Sequence, residues 1–226
     1  LSAVELFEAV RVGQIKALWI ACTNPAQSLP DQTKVHEALA TCPFVVVQEA
    51  FFTTETCHYA DLLLPATTWG EKEGTVTNSE RRVSHVRRAV PAPVEARPDW
   101  SITCDFARRL EQLLRPGLPS LFDFASSEAL FEEYKHLTAQ RDLDLSGLSY
   151  ALLDDQGPQQ WPFPTGARQG TARLYADGRF PTASGRAQFH ADPYRAPKEK
   201  REARYPLTLN TGRLRDQWHG MSRTGT

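Results

Sequence analysis

The sequence predicts an α/β fold built on a Rossmann-like parallel sheet with helices on both faces. Three short apolar runs, ALWIA from Ala17, FVVVQE from Phe44 and DLLLP from Asp61, lack the polar alternation of half-exposed strands. Such runs are typical of parallel strands that are buried on both faces. Helix-like segments separate the runs, as the crossovers of a parallel sheet require. An irregular α+β segment and the start of a β-barrel-like domain are predicted to follow.

The first helix is predicted between Ser2 and Gly13. Ser2 and Glu5 match a capping box, which satisfies free N–H groups at a helix start, and glycine is typical of the residue after a helix end. Asp31 is predicted to cap a second helix, TKVHEALA. The segment TTETCHYA, from Thr53, is predicted to be helical as well.

Polar sequence with glycine follows the third strand, and WGEKEGTVTNSERRVSHVRR is predicted to be loop and hairpin rather than helix. Asp99 is predicted to cap the amphipathic helix WSITCDFARRLEQLL, which Pro116-Gly117 ends. A further helix is predicted at roughly Glu128 to Thr138. GTARLYADGRF and TASGRAQFHA are predicted to be paired strands, and YPLTLNTGR, from Tyr205, to begin another strand.

These elements predict three parts. Residues 1–117 form a Rossmann-like α/β cofactor-binding domain, residues 118–204 an irregular Pro/Gly-rich α+β segment with a charged connector, and residues 205–226 the start of another domain. The chain has no starting Met, and its last sixteen residues, TGRLRDQWHGMSRTGT, are rich in binding chemistry although chain ends usually lose order. We therefore expect an internal part of a longer protein.

Composition excludes several classes of partner. The 226 residues carry a net charge of −1, which gives no long-range attraction to nucleic acid or to an anionic membrane. The apolar runs are too short to span a bilayer, and no export signal is visible, so a cytoplasmic location is expected. No metal site is predicted, because no CxxC pair occurs; buried, reduced thiols are expected at Cys22, Cys42, Cys57 and Cys104.

Polar residues stand at the end of each predicted strand, where parallel sheets bind ligands. A carboxylate there can accept both N1–H and N2–H of a guanine, and a lysine can offset phosphate charge. Each residue also has a simpler interpretation that stays open: a turn, a solvated strand end, a solvated charge cluster or a helix cap. The residues concerned are Asn24, Gln48, Glu49, the strand end Pro65-Ala66-Thr67, Lys72 and Asp99.

Four segments resemble the molybdopterin oxidoreductase family: TNPAQSLPD, VVVQEAFFTTETCHYADLLLPATTWGEKEGTVTNSERRV, RPDW and TGRLRDQWHGMSRTG. Within that family, RDQWHGMSRTG, QQWPFP and GRFPTASGRAQF most resemble assimilatory nitrate reductases. The resemblance implies molybdenum held by two molybdopterin guanine dinucleotides (bis-MGD) and the reduction of nitrate to nitrite. It also implies a [4Fe-4S] cluster bound outside this chain, electrons from ferredoxin or a flavin/NADH reductase, and further domains of the same protein as partners.

The resemblance implies which residues hold the cofactor. Asn24, Gln48, Glu49, Lys72 and Asp99 fall on positions that contact one guanine dinucleotide. A loop at the pterin and phosphates comprises Thr211, Gly212, Arg213, Leu214, Arg215, Asp216, Gln217, Trp218, His219 and Gly220. One departure occurs: the first strand ends in CTNP, where relatives often have GTNP. No catalytic residue and no metal ligand is assigned, and this chain alone is expected to be inactive.

Three other functions stay open at this point. A formate dehydrogenase of the same family would share the EKEG region. The large iron–sulfur subunit of respiratory complex I would keep the fold as an electron-transfer scaffold without molybdenum. A free-standing nucleotide-binding module would bind guanine nucleotides tightly without any other domain.

Overall fold

The computed structural model describes residues 1–93, 95–197, 200–210 and 212. The chain divides into two compact units, Leu1–Leu174 and Tyr175–Thr226. The predicted domain boundaries after residues 117 and 204 stay predictions. The barrel-like domain also stays a prediction, because most of its residues lie outside the described ranges.

The first unit contains the predicted parallel sheet. Its strands are β1 (Leu18–Ala21), β2 (Val45–Glu49) and β3 (Leu62–Pro65), hydrogen-bonded in the order β1-β2-β3. Both pairings are parallel, with Leu18 opposite Val45 and Val46 opposite Leu62. The prediction of an α/β fold with a parallel sheet is therefore confirmed.

One helix precedes these strands and three short helical segments connect them. They are α1 (Ala3–Arg11), α2 (Pro25–Ser28), α3 (Gln32–Thr41) and a 3₁₀ helix over Glu55–Tyr59. The capping box of α1 is confirmed, since the main-chain N–H groups of Ser2 and Glu5 each donate to the other residue's side chain.

The predicted cap at Asp31 is only partly right. Asp31 occupies the position before α3, but its φ is 54° and its side chain makes no capping hydrogen bond. The carboxylate instead lies 2.9 Å from Nζ of Lys34. This ion pair one turn along the helix replaces the side-chain cap, and the left-handed backbone turns the chain into α3.

Helices cover both faces of the sheet. On one face, Leu18 and Ile20 of β1 and Val45 and Val47 of β2 are buried in a core with α1 and α3. Successive strand side chains point to opposite faces, so Trp19 faces the other way. There its ring meets Phe106 of α4 (Asp99–Leu114) edge-on, with ring centroids 4.9 Å apart.

A second, antiparallel sheet follows the first within the same unit. The predicted hairpin is confirmed as β4 (Gly74–Thr77) and β5 (Arg82–Val86), and β5 also pairs with β6 (Gln159–Gln160). The predicted helix is confirmed as α5 (Ser127–Thr138). A seven-residue helix, α6 (Tyr150–Gln156), was not predicted. This sheet and these helices share a core that includes Val83, Phe131, Leu148, Tyr150 and Phe163.

The prediction of paired strands in GTARLYADGRF and TASGRAQFHA is wrong. Residues 170–191 form turns and irregular chain, including a tight loop in which Phe180 N–H donates to the Gly185 carbonyl at 3.0 Å. Phe189 is 96% exposed, so this segment buries no apolar face that would hold a strand pair. In residues 205–210 the predicted strand is also absent, apart from an isolated bridge between Glu202 and Tyr205.

Two further observations bear on the predicted partners and thiols. Within the described ranges, every helix is too short or too polar to cross a bilayer. All four cysteines lie in these ranges as unpaired thiols. Cys42, Cys57 and Cys104 are buried as expected, whereas Cys22 is exposed.

Candidate functional site

A cleft of about 210 Å³ opens at the carboxyl ends of the three parallel strands. Ligands bind at this edge of parallel sheets because the strand ends and the loops after them leave polar groups there. Four of the five residues predicted for this site line the cleft: Gln48, Glu49, Lys72 and Asp99. Cys22 and Thr67 line it as well. The topology therefore brings together residues that are up to 77 positions apart along the chain.

Asp99 is the centre of the polar network in this cleft. Its Oδ1 accepts a hydrogen bond from Gln48 Nε2 at 2.8 Å, and its Oδ2 accepts one from Lys72 Nζ at 3.0 Å. The Cys22 thiol donates a weaker contact to Oδ1 at 3.5 Å. Asp99 thus joins the ends of β1 and β2 to the segment after β3.

The predicted capping role of Asp99 is wrong for a specific reason. Pro98 occupies the position before α4, Asp99 is the first helical residue, and no side-chain capping bond forms. The carboxylate instead accepts hydrogen bonds from the side chains of Gln48 and Lys72. Its negative charge still lies in the first turn of α4, where the helix dipole favours it.

Burial and hydrogen bonding act in opposite directions on the acidity of Asp99. Burial raises the pKa of its carboxyl group, but the hydrogen bonds from Gln48 and Lys72 and the lysine charge outweigh burial, so the pKa lies below its ordinary value. The pKa of the Cys22 thiol is raised, mainly by partial burial of its sulfur and secondly by the negative charge of Asp99. At neutral pH the cleft therefore holds an Asp99 carboxylate and an uncharged thiol.

Gln48 and Glu49 line the cleft, and each has a side-chain oxygen atom without a hydrogen-bond donor among the described residues. Gln48 is only 2% exposed, and its Oε1 has no hydrogen-bond partner among the described residues. Glu49 is half-buried, and its Oε1 accepts from the Ala50 N–H at 2.7 Å. Glu49 Oε2 receives no hydrogen bond in the described part of the chain. Acceptors are thus available for a ligand that carries N–H or O–H groups.

Asn24 is the predicted residue that the structure leaves out of the cleft lining. Its Nδ2 donates to Glu55 at 2.9 Å and to Gln27 at 3.3 Å, while its Oδ1 accepts from the hydroxyl and main-chain N–H of Thr56. These bonds occupy the amide and join the start of α2 to the 3₁₀ helix. A ligand contact by Asn24 stays a prediction and would require one of these bonds to exchange.

Cys22 has an unusual backbone conformation. Its φ is 60°, in the left-handed region that favours glycine and costs other residues roughly 1 kcal/mol or more. The position is the cysteine of CTNP, where glycine was expected by resemblance. The structure keeps the turn despite the side chain, and the thiol reaches Asp99 as a result.

A larger cleft of about 510 Å³ adjoins this one through Lys72, which lines both. The larger cleft is also lined by Arg87, Arg88 and Asp154. Arg87 is paired with Asp154, whereas no ion pair of Arg88 occurs among the described residues. Lys72 itself lies 5.4 Å from the centroid of the Trp69 ring. Glu71 and Glu73 line the larger cleft too, so with Asp154 they balance the formal charges of Lys72, Arg87 and Arg88.

The loop predicted to face the pterin and phosphates cannot be placed against this cleft. Thr211 and Arg213, Leu214, Arg215, Asp216, Gln217, Trp218, His219 and Gly220 lie outside the described residues. Gly212 is described and exposed, in the second compact unit. The role of this loop stays a prediction.

Thr67 is a cleft residue that was predicted to lie at a strand end, where ligands bind, but that was not assigned a contact to the cofactor. It was visible as the polar residue after the third strand, next to Pro65-Ala66. Its side chain is 2% exposed, and its hydroxyl has no partner among the described residues. The sequence pattern predicted that a threonine lies at this strand end, but it did not predict that the threonine is buried.

Comparison with known proteins gives one family match and several relatives. The family model described as molybdopterin oxidoreductase matches residues 1–109. A nitrate reductase from Synechocystis sp. is 44% identical over 229 residues, which cover 100% of this chain and 31% of that protein. The assimilatory nitrate reductase catalytic subunit of Bacillus subtilis is 39% identical, over 94% of this chain and 29% of the relative. The chain thus spans less than a third of the length of these two relatives.

A solved structure agrees with the fold. Acetylene hydratase from Pelobacter acetylenicus matches with a TM-score of 0.54 over 76% of this chain and 23% of its own, at 19% sequence identity. At that identity the match supports the fold alone. It adds a structural neighbour for the layered α/β arrangement described above.

Proposed function

Because the chain belongs, through residues 1–109, to the molybdopterin oxidoreductase family, we propose that it is part of a molybdenum-dependent nitrate reductase. The whole protein would reduce nitrate to nitrite in nitrate assimilation, in the cytoplasm. In this proposal the cofactor is the bis-MGD form, and the cleft at the ends of β1, β2 and β3 holds the guanine nucleotide of one of its two dinucleotides. Similarity to the nitrate reductases of Synechocystis and Bacillus supports the choice of substrate.

The observation that carries the binding proposal is the donor and acceptor set of the cleft. Gln48 Oε1 is buried and unpaired among the described residues, and an unpaired buried carbonyl costs about 1–3 kcal/mol unless a ligand donates to it. Glu49 presents a carboxylate oxygen beside it in sequence. Guanine carries adjacent N1–H and N2–H donors, which complement acceptors of this kind. The residues present therefore fit the nucleotide end of the cofactor.

Lys72 fits the diphosphate of the same ligand. Its ammonium group has three N–H donors, and one of these is used by Asp99. Lys72 borders both the 210 Å³ cleft and the 510 Å³ cleft. A phosphate between the two clefts would receive a hydrogen bond from Lys72 while the contact with Asp99 orients the lysine.

The chain's own residues bind and orient in this scheme, and none of them is assigned a catalytic step. When bound, the molybdenum cofactor would supply the oxygen-atom transfer and the two-electron chemistry of nitrate reduction. The predicted loop Thr211–Gly220 would contact the pterin and phosphates. A [4Fe-4S] cluster outside this chain would deliver electrons from ferredoxin or a flavin/NADH reductase.

The test uses the full-length protein with reduced viologen dye as electron donor. We expect nitrite to form from nitrate, and the purified protein to contain molybdenum. Lys72→Met should lower the molybdenum content per polypeptide, because the diphosphate loses its cation. Lys34→Met is the matched control, since Lys34 forms an exposed pair with Asp31 away from the cleft lining.

Two results would contradict the proposal. Oxidation of formate without nitrite production would assign another substrate within the family. Iron without molybdenum in the intact protein would indicate an electron-transfer scaffold of the complex I type.

A further inference from the structure

We infer that Thr67 is a further binding residue of this cleft, and that its hydroxyl acts with the side-chain carbonyl of Gln48 on the guanosine part of the ligand. The inference rests on the proposed function, because that function names the nucleotide. It goes beyond the five residues predicted for the dinucleotide, which do not include Thr67.

The hydroxyl of Thr67 is buried without a partner. Thr67 is 2% exposed and lines the cleft, and its Oγ1 makes no hydrogen bond to any described residue. Its backbone is held in place, because its N–H donates to the Arg97 carbonyl at 3.0 Å and Ala66 forms a parallel bridge with Arg97. The main chain of Thr67 is therefore fixed at the cleft.

Thr56 shows what a buried threonine does when it serves the fold alone. Thr56 is 0% exposed, and it is therefore as inaccessible to solvent as Thr67. Its hydroxyl donates to Asn24 Oδ1 at 2.6 Å and accepts from the Ala26 N–H at 3.2 Å. Buried hydroxyl groups normally find such partners. Thr67 lacks them within the described residues, and its position at the cleft accounts for the difference.

The orientation of the Gln48 amide makes its carbonyl the second unpaired group. Nε2 lies 2.8 Å from Asp99 Oδ1, and exchanging the amide oxygen and nitrogen would place two acceptors against each other. The Asp99 carboxylate is held ionised, so it can only accept. Gln48 Oε1 is consequently left as an acceptor with no donor among the described residues.

These two groups define the chemistry that the cleft recognises. Gln48 Oε1 can only accept a hydrogen bond, whereas the Thr67 hydroxyl can donate and accept. A ligand that satisfies both groups therefore carries an N–H or O–H donor for Gln48 and either a donor or an acceptor for Thr67. Guanosine offers this combination at its base edge, and again at its ribose hydroxyls. Asp99 accepts one hydrogen bond from Gln48 and one from Lys72 and keeps further lone pairs, so Gln48 and Thr67 would add to any contact that Asp99 makes with the nucleoside.

The experiment compares two variants of the full-length protein, Thr67→Val and Thr67→Ser. Valine keeps the shape of threonine without the hydroxyl, and serine restores the hydroxyl. The first measurement is a time course of bound guanine nucleotide, taken as GMP released by acid hydrolysis per polypeptide after gel filtration has removed free cofactor at each time point. We expect Thr67→Val to lose guanine nucleotide about fivefold faster than the wild type, the effect of one neutral hydrogen bond, and Thr67→Ser to retain it.

The second measurement separates binding from folding. In protein purified from a host that makes no pterin cofactor, Thr67→Val should unfold at the same temperature as the wild type or higher, because an unpaired buried hydroxyl is removed. Thr56→Val is the matched control and should unfold at a lower temperature, because its hydroxyl bonds are lost.

Each remaining outcome overturns a specific claim. Retention of guanine nucleotide by Thr67→Val at the wild-type rate would overturn the role of Thr67 while leaving the proposed function intact. Lower stability of cofactor-free Thr67→Val would make the hydroxyl structural. Absence of GMP from the wild-type protein would overturn the proposed guanine nucleotide itself, and the inference with it.

Discussion

At the scale of single residues, Lys72 and Asp99 form an ion pair in the lining of the cleft. Both side chains are 28% exposed, and Nζ lies 3.0 Å from Oδ2. Asp99 also accepts a hydrogen bond from Gln48, so the pair fixes the position of a residue that is proposed to contact the nucleoside. Local sequence could not show this, because Asp99 before an amphipathic segment is an ordinary helix-cap pattern. Its partners are 27 and 51 residues away.

Replacing Asp99 with Asn should change how the free energy of unfolding depends on pH, because the variant lacks the carboxylate charge of the pair. At neutral pH we expect Asp99→Asn to lower the free energy of unfolding of this unit by about 1–2 kcal/mol, since hydrogen bonds to a charged group are weakened. The folded-state pKa of Asp99 is depressed, so its contribution is complete above an unfolded pKa of about 3.9 and is lost as pH falls through the lower folded value. Thermal unfolding of cofactor-free protein across acid pH measures this difference.

The control for that experiment is Asp123→Asn. The Asp123 side chain is 82% exposed, and its carboxylate lies 3.7 Å from Arg108. Such an exposed pair contributes little, so the variant should match the wild type at every pH. A constant stability difference for Asp99→Asn from neutral to strongly acid pH would contradict the role given to its charge.

Cys22 offers a prediction about backbone strain. Cys22→Gly and Cys22→Ala both remove the thiol, but only glycine adopts a φ of 60° without steric cost. We expect the glycine variant to be more stable than the alanine variant by roughly 1 kcal/mol. The midpoints of thermal unfolding of the two variants, compared with each other, measure the effect.

Cys104 is the control for this comparison, because its helical backbone favours alanine over glycine. It is a buried residue inside α4, where glycine is about 1 kcal/mol less favourable than alanine. Cys104→Gly should therefore be less stable than Cys104→Ala. If Cys22 showed the same order as Cys104, the left-handed conformation at the end of β1 would be wrong.

At the scale of elements, the sequence predicted what depends on local pattern. Short runs without polar alternation correctly predicted β1, β2 and β3, and the Ser2–Glu5 pair correctly predicted the start of α1. Strand β6 has only two residues, and it forms because β5 is available to pair with it. No pattern in two glutamines could predict that pairing, which is decided by tertiary contact.

The wrong strands in residues 170–191 have a related cause. Turn residues between β-like segments predicted hairpins, but pairing also needs a buried face. Phe189 is almost fully exposed, and the segment closes on itself through the turn at Phe180 and Gly185 instead. The grouping of four predicted residues in one cleft follows from topology, because parallel strands end at the same edge of the sheet, whereas the burial of Thr67 does not.

Gly147 lies in the turn between α5 and α6, and it packs against the segment that follows β6. A Cβ at Gly147 would lie 2.5 Å from the Pro164 carbonyl oxygen and 2.9 Å from Cδ1 of Phe163, which is 1% exposed. Gly147→Ala should therefore lower the free energy of unfolding by about 1–3 kcal/mol, because backbone must shift. Thermal unfolding of the cofactor-free protein measures it.

Gly74 is the matched control for this substitution. It lies in β4 with no atom within 4 Å of a built Cβ. Gly74→Ala should be neutral or stabilising by up to about 1 kcal/mol, because alanine has less conformational freedom than glycine in the unfolded chain. Equal destabilisation by the two substitutions would contradict the close approach described at Gly147.

At the scale of the whole molecule, the first compact unit carries the cleft and both sheets, and the second carries the described part of the predicted pterin loop, Gly212. The chain covers less than a third of the nitrate reductases from Synechocystis and Bacillus. Its proposed contribution is therefore one wall of a cofactor site, with binding residues but no assigned catalytic group.

The measurement that tests this account most directly is an experimental structure of the full-length protein with its native cofactor bound. We predict a guanine nucleotide at the carboxyl ends of β1, β2 and β3, within hydrogen-bond distance of Gln48 Oε1 and Thr67 Oγ1, with a phosphate next to Lys72. A guanine nucleotide bound elsewhere, with both of those oxygen atoms facing only protein or water, would contradict the central claim.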